Sequence, residues 1–121
     1  MTTIQPILLT SDLPGMLAFY RGLLDAEETQ RYPADGAPFF VGLRAGAAEF
    51  GLVNDEKAPT GPGPVLLSID VDDVRARLER VEALGGTVLG PPNDMPWGQR
   101  VAHIQDPDGN TVNLTQPVPP A

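Results

Sequence analysis

The side chains best suited to chemistry include a single histidine and an arginine close to it in sequence. His103 lies inside the alternating stretch Arg100–Gln105, where it could donate or accept a hydrogen bond or act as a base. A structural role is the alternative, because no paired acid is identifiable. Arg100 could pair with Glu49, pair with an acidic group of a ligand, or be solvated at a strand end. Without cysteine, the chain forms neither disulfides nor thiolate metal sites.

An aromatic ring is a further candidate for binding. Trp97 is the only tryptophan and is flanked by Pro96 and Gly98, a combination typical of a loop. An exposed loop is an unusual place for so large a ring, so a ligand contact and a subunit contact are both open. Phe39 and Phe40 fall early in a predicted strand, and at least one of them is expected in the core.

The overall charge limits the possible partners. The chain carries 8 basic and 16 acidic residues, a net charge of −8, which would repel nucleic-acid phosphates and suits cationic or neutral ligands. A solvated acidic surface explains most of this charge more simply. No stretch reaches the ~20 apolar residues that cross a bilayer, and the first residues lack the pattern of a signal peptide. We expect no membrane partner and a cytoplasmic location.

Two amphipathic helices can position these residues. The first is predicted over 12–24 with Asp12 as its N-cap. The second is predicted over about 72–84, with Asp72 or Asp73 as its N-cap and Gly85-Gly86 at its end. Four apolar positions match between the helices at an offset of 61 residues: Leu13 with Val74, Leu17 with Leu78, Tyr20 with Val81 and Leu23 with Leu84.

Strand-like runs surround both helices in the same order. One run precedes each helix and three follow it: Ile4–Thr10, Glu27–Arg31, Pro38–Leu43 and Ala47–Val53, then Val65–Val71, Thr87–Leu89, Arg100–Gln105 and Asn110–Thr115. The pattern predicts a single α+β domain of two βαβββ modules, about 4–54 and 64–116, joined by 55–63. The modules would form a curved mixed sheet around a cavity, with the helices on its outer face.

Alternation along these strands indicates which side chains face the cavity. In the second module they are Thr111, Asn113 and Thr115, while Val101, His103 and Gln105 face either the cavity or solvent. In the first module Glu49 and Gly51 lie opposite the apolar set of the fourth strand. The lining is mixed in polarity.

Several strings of residues resemble one known superfamily. Asp12-Leu13, Ala18-Phe19-Tyr20 and Leu23-Leu24 are similar to the first helix of the vicinal oxygen chelate superfamily, and 106–110 (Asp-Pro-Asp-Gly-Asn) is similar to its final hairpin. This superfamily includes glyoxalase I, extradiol dioxygenases, fosfomycin-resistance enzymes and bleomycin-resistance proteins. Pro6-Ile7-Leu8 and Pro96-Trp97-Gly98 resemble the bleomycin-resistance branch most.

The resemblance implies four positions for metal ligands, which match Gln5, Glu49, Pro64 and Asn113. Proline offers no side-chain donor and an amide is a weak ligand for zinc, nickel or manganese. One carboxylate is too little for a site that needs three protein ligands or more. We therefore predict no metal and no other cofactor, and we expect Gln5, Glu49 and Asn113 to line the cavity.

The resemblance also implies a function. In bleomycin-resistance proteins a Phe and a Trp clamp a flat part of the antibiotic, and here they would be Phe39 and Trp97. We predict a homodimeric, metal-free protein that sequesters a flat aromatic or hydrophobic ligand of the antibiotic type, with Arg100 and His103 as further binding residues. The alternatives are a lyase or dioxygenase of the same superfamily, metal-free acid–base chemistry by Glu49 or His103, and a degenerate site that holds another metabolite.

Overall fold

Two helices and nine strands run through residues 2–120, the part of the chain that the computed structural model describes. They fall into two units, the first ending at Pro59 and the second beginning at Thr60. Each unit contains one helix and one mixed sheet. The α+β class and the tandem modules predicted from the sequence are confirmed. No helix in residues 2–120 is long and apolar enough to cross a membrane.

The first unit is a four-stranded sheet with one helix. Its elements are β1 Ile7–Thr10, α1 Leu13–Leu24, β2 Glu27–Tyr32, β3 Phe40–Ala45 and β4 Ala48–Asn54. The strand order is β1-β4-β3-β2, with β1 parallel to β4 and the other pairs antiparallel. The parallel pair requires a long connection, which α1 and the β2–β3 hairpin supply.

The second unit repeats this arrangement and adds one strand. Its elements are β5 Leu67–Asp70, α2 Val74–Val81, β6 Thr87–Val88, β7 Asn93–Asp94, β8 Gln99–Gln105 and β9 Thr111–Pro117. The order is β5-β9-β8-β6, and β7 also pairs with β8. The strand β7 was not predicted, because two polar residues carry no strand pattern. The predicted run Ile4–Thr10 becomes a strand only from Ile7.

The first helix begins and packs as its sequence predicts. The Asp12 side chain accepts a hydrogen bond from the backbone N–H of Gly15 at 3.2 Å, which satisfies a donor that the first turn leaves free. The helix ends at Leu24, and its C-cap Asp25 has a left-handed φ of 52°. Its buried face consists of Leu13, Met16, Phe19, Tyr20 and Leu23. The ring of Tyr20 meets Phe50 of β4 edge-on at 5.5 Å between centroids, which fixes the helix on its sheet.

The second helix is shorter than predicted. Asp73 is its N-cap and accepts from the N–H of Ala76 at 3.2 Å, but the helix ends at Val81 rather than near Leu84. A turn follows, in which the N–H of Gly86 donates to the Val81 carbonyl. Three of the four matched pairs therefore have similar burial in both helices. The fourth differs, since Leu23 is buried in α1 whereas Leu84 lies half-exposed in the turn.

Candidate ligand-binding surfaces

The first sheet has one face that packs against α1 and another that does not. Val41, Leu43 and Leu52 are fully buried, as expected for the side towards the helix. Strand alternation places the neighbouring positions on the other side. This face opposite α1 consists of Ile7 and Leu9 on β1, Phe40, Gly42 and Arg44 on β3, and Glu49, Gly51 and Val53 on β4.

Two facing glycines lie beside an apolar patch on this surface, which consists of Ile7, Leu9 and Phe40. Gly42 of β3 and Gly51 of β4 are directly opposite in the register. A Cβ placed on Gly51 would lie 2.7 Å from a ring carbon of Phe40 and 2.9 Å from the Cδ1 methyl of Ile7, so both side chains lie over the glycine. Ile7 and Leu9 remain 44% and 50% exposed. The exposed carbon atoms of Ile7 and Leu9 form an apolar surface that can contact a flat or aliphatic group.

The predicted clamp residue Phe39 directly precedes Phe40 in sequence, and strand alternation therefore places it on the opposite face from the patch. Its N–H donates to the Tyr32 carbonyl and its carbonyl accepts from the Asn54 N–H, so its backbone belongs to the strand ladder. Its ring is 56% exposed. The ring on the face opposite α1 is that of Phe40, which the sequence analysis did not assign to binding. Alternation could have identified Phe40 as a residue of this face. Leu43 and Val41 lie on the side of the helix, so Phe40 must lie on the opposite side.

The second sheet brings two predicted residues into contact. His103 of β8 and Asn113 of β9 are directly opposite in the register, and His103 Nδ1 lies 2.6 Å from Asn113 Oδ1. Both lie on the face opposite α2, since Ala102, Ile104, Val112 and Leu114 are buried on the other side. On the face opposite α2, the Thr115 hydroxyl also donates to Asp70 Oδ1 at 3.1 Å. The sequence located both members of the contact but not the contact itself.

Trp97 lies in the turn between β7 and β8 and is 71% exposed. The turn is closed by a hydrogen bond from the Met95 N–H to the Gln99 carbonyl and contains Gly98 at a φ of 88°. The indole N–H donates to Gln99 Oε1 at 2.9 Å. The polar group of the ring is therefore satisfied within the turn, while most of its surface remains exposed.

Arg100 pairs with a residue that the sequence analysis did not consider. Its guanidinium forms two hydrogen bonds with Asp94 of β7, at 2.8 and 3.3 Å, and not with Glu49. These hydrogen bonds lower the pKa of the Asp94 carboxyl and raise the pKa of Arg100. The short strand β7 explains the pair, because it places Asp94 directly opposite Arg100 in the register. Of the three alternatives that the sequence left open for Arg100, a pair with Glu49, a pair with a ligand group and a solvated end, none named Asp94.

The remaining predicted residues lie apart from these contacts. Gln5 is exposed ahead of β1. Glu49 is exposed on β4, opposite Arg44 in the register, while Arg44 pairs with Glu27 at 3.2 Å. A shallow pocket of about 300 Å³ lies elsewhere in the first unit, beside α1, and includes Leu13 and Leu17. None of the predicted residues lines it.

The donor atoms of the family's metal positions do not fit a metal ion. The N-caps Asp12 and Asp73 are 61 residues apart, and this offset aligns Gln5 with Leu66 rather than with Pro64. Neither Leu66 nor Pro64 has a side-chain atom that could bind a metal ion. The carbonyl oxygen of Asn113 is already engaged by His103. Within residues 2–120, no group of three or more His, Asp or Glu side chains is placed to hold a metal.

Comparison with known proteins agrees with the fold. Residues 3–114 match the model of the Glyoxalase/Bleomycin resistance protein/Dioxygenase superfamily. The chain belongs to this superfamily. Membership confirms the resemblance seen in the helix and hairpin strings of the sequence. The bleomycin-resistance branch within it stays a prediction.

Similar proteins carry different names. An uncharacterised protein of Mycobacterium bovis is 32% identical over 95% of this chain and 83% of its own length. A putative glyoxylase, CFP32, of the same organism is also 32% identical over 92% of this chain, which spans only 42% of that protein. The fosfomycin resistance protein FosX of Listeria monocytogenes has a similar structure, with a TM-score of 0.76 at 17% identity, covering 96% of this chain and 93% of its own. At this identity the likeness shows the fold alone.

Proposed function

We propose that this protein binds a flat aromatic or hydrophobic small molecule of the antibiotic type and sequesters it without a metal ion. The observation that carries the proposal is the state of Trp97. Its ring is 71% exposed, yet its N–H is bonded to Gln99. A ring held in this way presents an apolar face for stacking, and one stacked pair contributes about 0.5–1.5 kcal/mol beyond the area that it buries.

The apolar patch of the first unit supports the same class of ligand. Ile7 and Leu9 are exposed, and Ile7 and Phe40 lie over Gly51. An apolar lining with few polar groups is typical of small-molecule sites. The net charge of −8 favours neutral or cationic ligands over anionic ones. Phe39 as the second ring of a clamp, Gln5 and Glu49 as polar lining, the homodimer and the cytoplasmic location stay predictions.

The names of related proteins support an antibiotic as the ligand. The superfamily description includes bleomycin resistance, and FosX is a fosfomycin resistance protein. Sequestration needs only affinity, and therefore suits a chain whose donor set does not fit a catalytic metal.

Fluorescence titration tests this proposal directly, because the only tryptophan is the proposed stacking residue. We expect saturable quenching by some members of a panel of planar aromatic antibiotics, bleomycin among them. Calorimetry with Trp97→Ala should then show roughly a three- to tenfold weaker affinity. Val65→Ala is the matched control, since Val65 is an exposed apolar residue of the same unit that lies outside the turn. Absence of saturable binding across the panel, or equal binding by Trp97→Ala, would refute the proposal.

The second candidate is a metal-dependent lyase or dioxygenase. One observation favours it, the 32% identity to a putative glyoxylase. The donor set speaks against it, because such enzymes use the ion to polarise an oxygen or activate a ligand. Elemental analysis of protein loaded with zinc, nickel, manganese or iron distinguishes the two, and stoichiometric uptake of one ion would favour the enzyme. Consumption of a substrate by wild type but not by Glu49→Gln would instead indicate metal-free acid–base chemistry.

A further inference from the structure

The hydrogen bond between His103 and Asn113 has one donor and one acceptor that can be assigned. The two residues face each other at the centre of the β8–β9 ladder, where the backbone is paired on both sides of each residue. The N–H of Leu89 donates to the His103 carbonyl, which holds the histidine backbone from the other edge of β8 as well. A separation of 2.6 Å between His103 Nδ1 and Asn113 Oδ1 is a short hydrogen bond.

The direction of this hydrogen bond follows from the orientation of the Asn113 amide, which presents Oδ1 and not its NH₂ group to the imidazole. An amide oxygen carries no hydrogen, so Nδ1 must be the donor. A neutral imidazole has a single N–H, and placing it on Nδ1 leaves Nε2 with a free electron pair. The imidazole is exposed whereas Asn113 is half-buried, so the ring reaches outward from a fixed support.

We infer that Asn113 is a positioning residue that holds His103 in its Nδ1–H tautomer, so that Nε2 accepts a hydrogen bond from an O–H or N–H group of the ligand. This inference rests on the proposed function and narrows its ligand class to aromatic compounds that carry such a donor, for example a phenol. Ser68, opposite Asn113 on β5, lies on the same face, and Asp70 there is engaged by the Thr115 hydroxyl. On this face, the contact with Asn113 determines that His103 Nε2 carries the free electron pair of the neutral imidazole.

The single histidine makes the tautomer directly measurable. We would label histidine with ¹⁵N in this chain without a histidine tag and record two- and three-bond ¹H–¹⁵N correlations at alkaline pH, where imidazole is uncharged. Wild type should show the Nδ1–H pattern, and Asn113→Leu should revert to the Nε2–H form common for histidine in water. Asn113→Asp retains an accepting oxygen and should retain the Nδ1–H form. Ser68→Ala is the control and should leave the spectrum unchanged. An Nε2–H spectrum in wild type overturns the inference.

A pair of probes tests the effect on binding. 2-Naphthol and 2-methoxynaphthalene share a flat ring system, but only the first has an O–H to donate. Wild type should prefer 2-naphthol by roughly two- to tenfold, the usual effect of one hydrogen bond, and Asn113→Leu should lose this preference while binding both compounds. Equal affinities in wild type overturn the inference and leave the proposed function standing. Failure of both probes to bind, with the Nδ1–H spectrum present, supports the tautomer and counts against the proposed function.

Discussion

Replacing Gly51 by alanine tests whether the apolar patch depends on having glycine at this position. A Cβ at this position would lie 2.7 Å from the Phe40 ring and 2.9 Å from the Ile7 methyl, both well below ordinary contact. Ile7 can rotate its terminal methyl away. The ring of Phe40 is rigid and must move as a whole, so the substitution should both destabilise the first unit and displace the ring from its position over Gly51.

The magnitude follows from two opposing effects. Forcing an extra carbon into a packed position costs about 1–3 kcal/mol. Alanine in place of glycine in a strand recovers about 0.5–1 kcal/mol, because the unfolded chain loses less freedom on folding. We therefore expect Gly51→Ala to lower the free energy of unfolding by about 1–2 kcal/mol. Phe40→Leu in the same chain should restore part of this loss, because the smaller side chain leaves space for the new carbon.

Urea unfolding followed by circular dichroism measures the effect. Gly63→Ala is the matched control, since no atom lies within 4 Å of its added Cβ and its φ is not left-handed. We expect this control to be unchanged or stabilised by up to about 1 kcal/mol. If Gly51→Ala is as stable as Gly63→Ala, or if Phe40→Leu adds its own loss in full, the described packing over Gly51 is wrong.

Three further predictions concern hydrogen bonds away from the apolar patch. Gln116→Leu should destabilise the chain by about 1–3 kcal/mol in the same urea assay, because the buried Gln116 Oε1 accepts the N–H of Val74 at 2.8 Å and the variant leaves that donor unpaired. Asp12→Ala should cost about 1 kcal/mol through loss of the α1 cap, and a variant as stable as wild type would exclude that cap. Glu28→Gln should flatten the acid side of the stability–pH curve. The hydrogen bond from Arg31 lowers the pKa of Glu28 in the fold, so its stabilisation is complete above the ordinary value of 4.5 and is lost as the pH falls below it. Variant and wild type should therefore converge at low pH.

Local sequence signals were sufficient for the repeated architecture. Asp12 and Asp73 are good N-caps, and apolar residues at helical spacing follow both. Each signal acts within a few residues along the chain, so no tertiary information was needed to interpret it. The same holds for the face assignment of β8 and β9, where strict alternation placed His103 and Asn113 together on one side.

The lengths of the weaker elements depended on tertiary contacts. The start of β1 at Ile7 accompanies a hydrogen bond from a distant segment, in which the Gly51 N–H donates to the Pro6 carbonyl. The end of α2 at Val81 is instead a local turn, which the Gly86 N–H closes on the Val81 carbonyl. The strand β7 exists only because Asn93 and Asp94 pair with β8. Intrinsic propensity is too small to predict such a strand, since its stability comes from its neighbour.

The candidate site divides in the same way. Residue types alone identified Trp97 as an unusual ring in a loop and excluded a thiolate metal site, since both conclusions depend on what the chain contains. The partners of Arg100 and His103 were decided only by the register of β8, which pairs the first with Asp94 and the second with Asn113. Likewise, Phe40 lies over Gly51 because β3 and β4 are in one particular register. A hydrogen bond depends on distances of a few tenths of an ångström, and these are determined by strand pairing between residues far apart in the sequence.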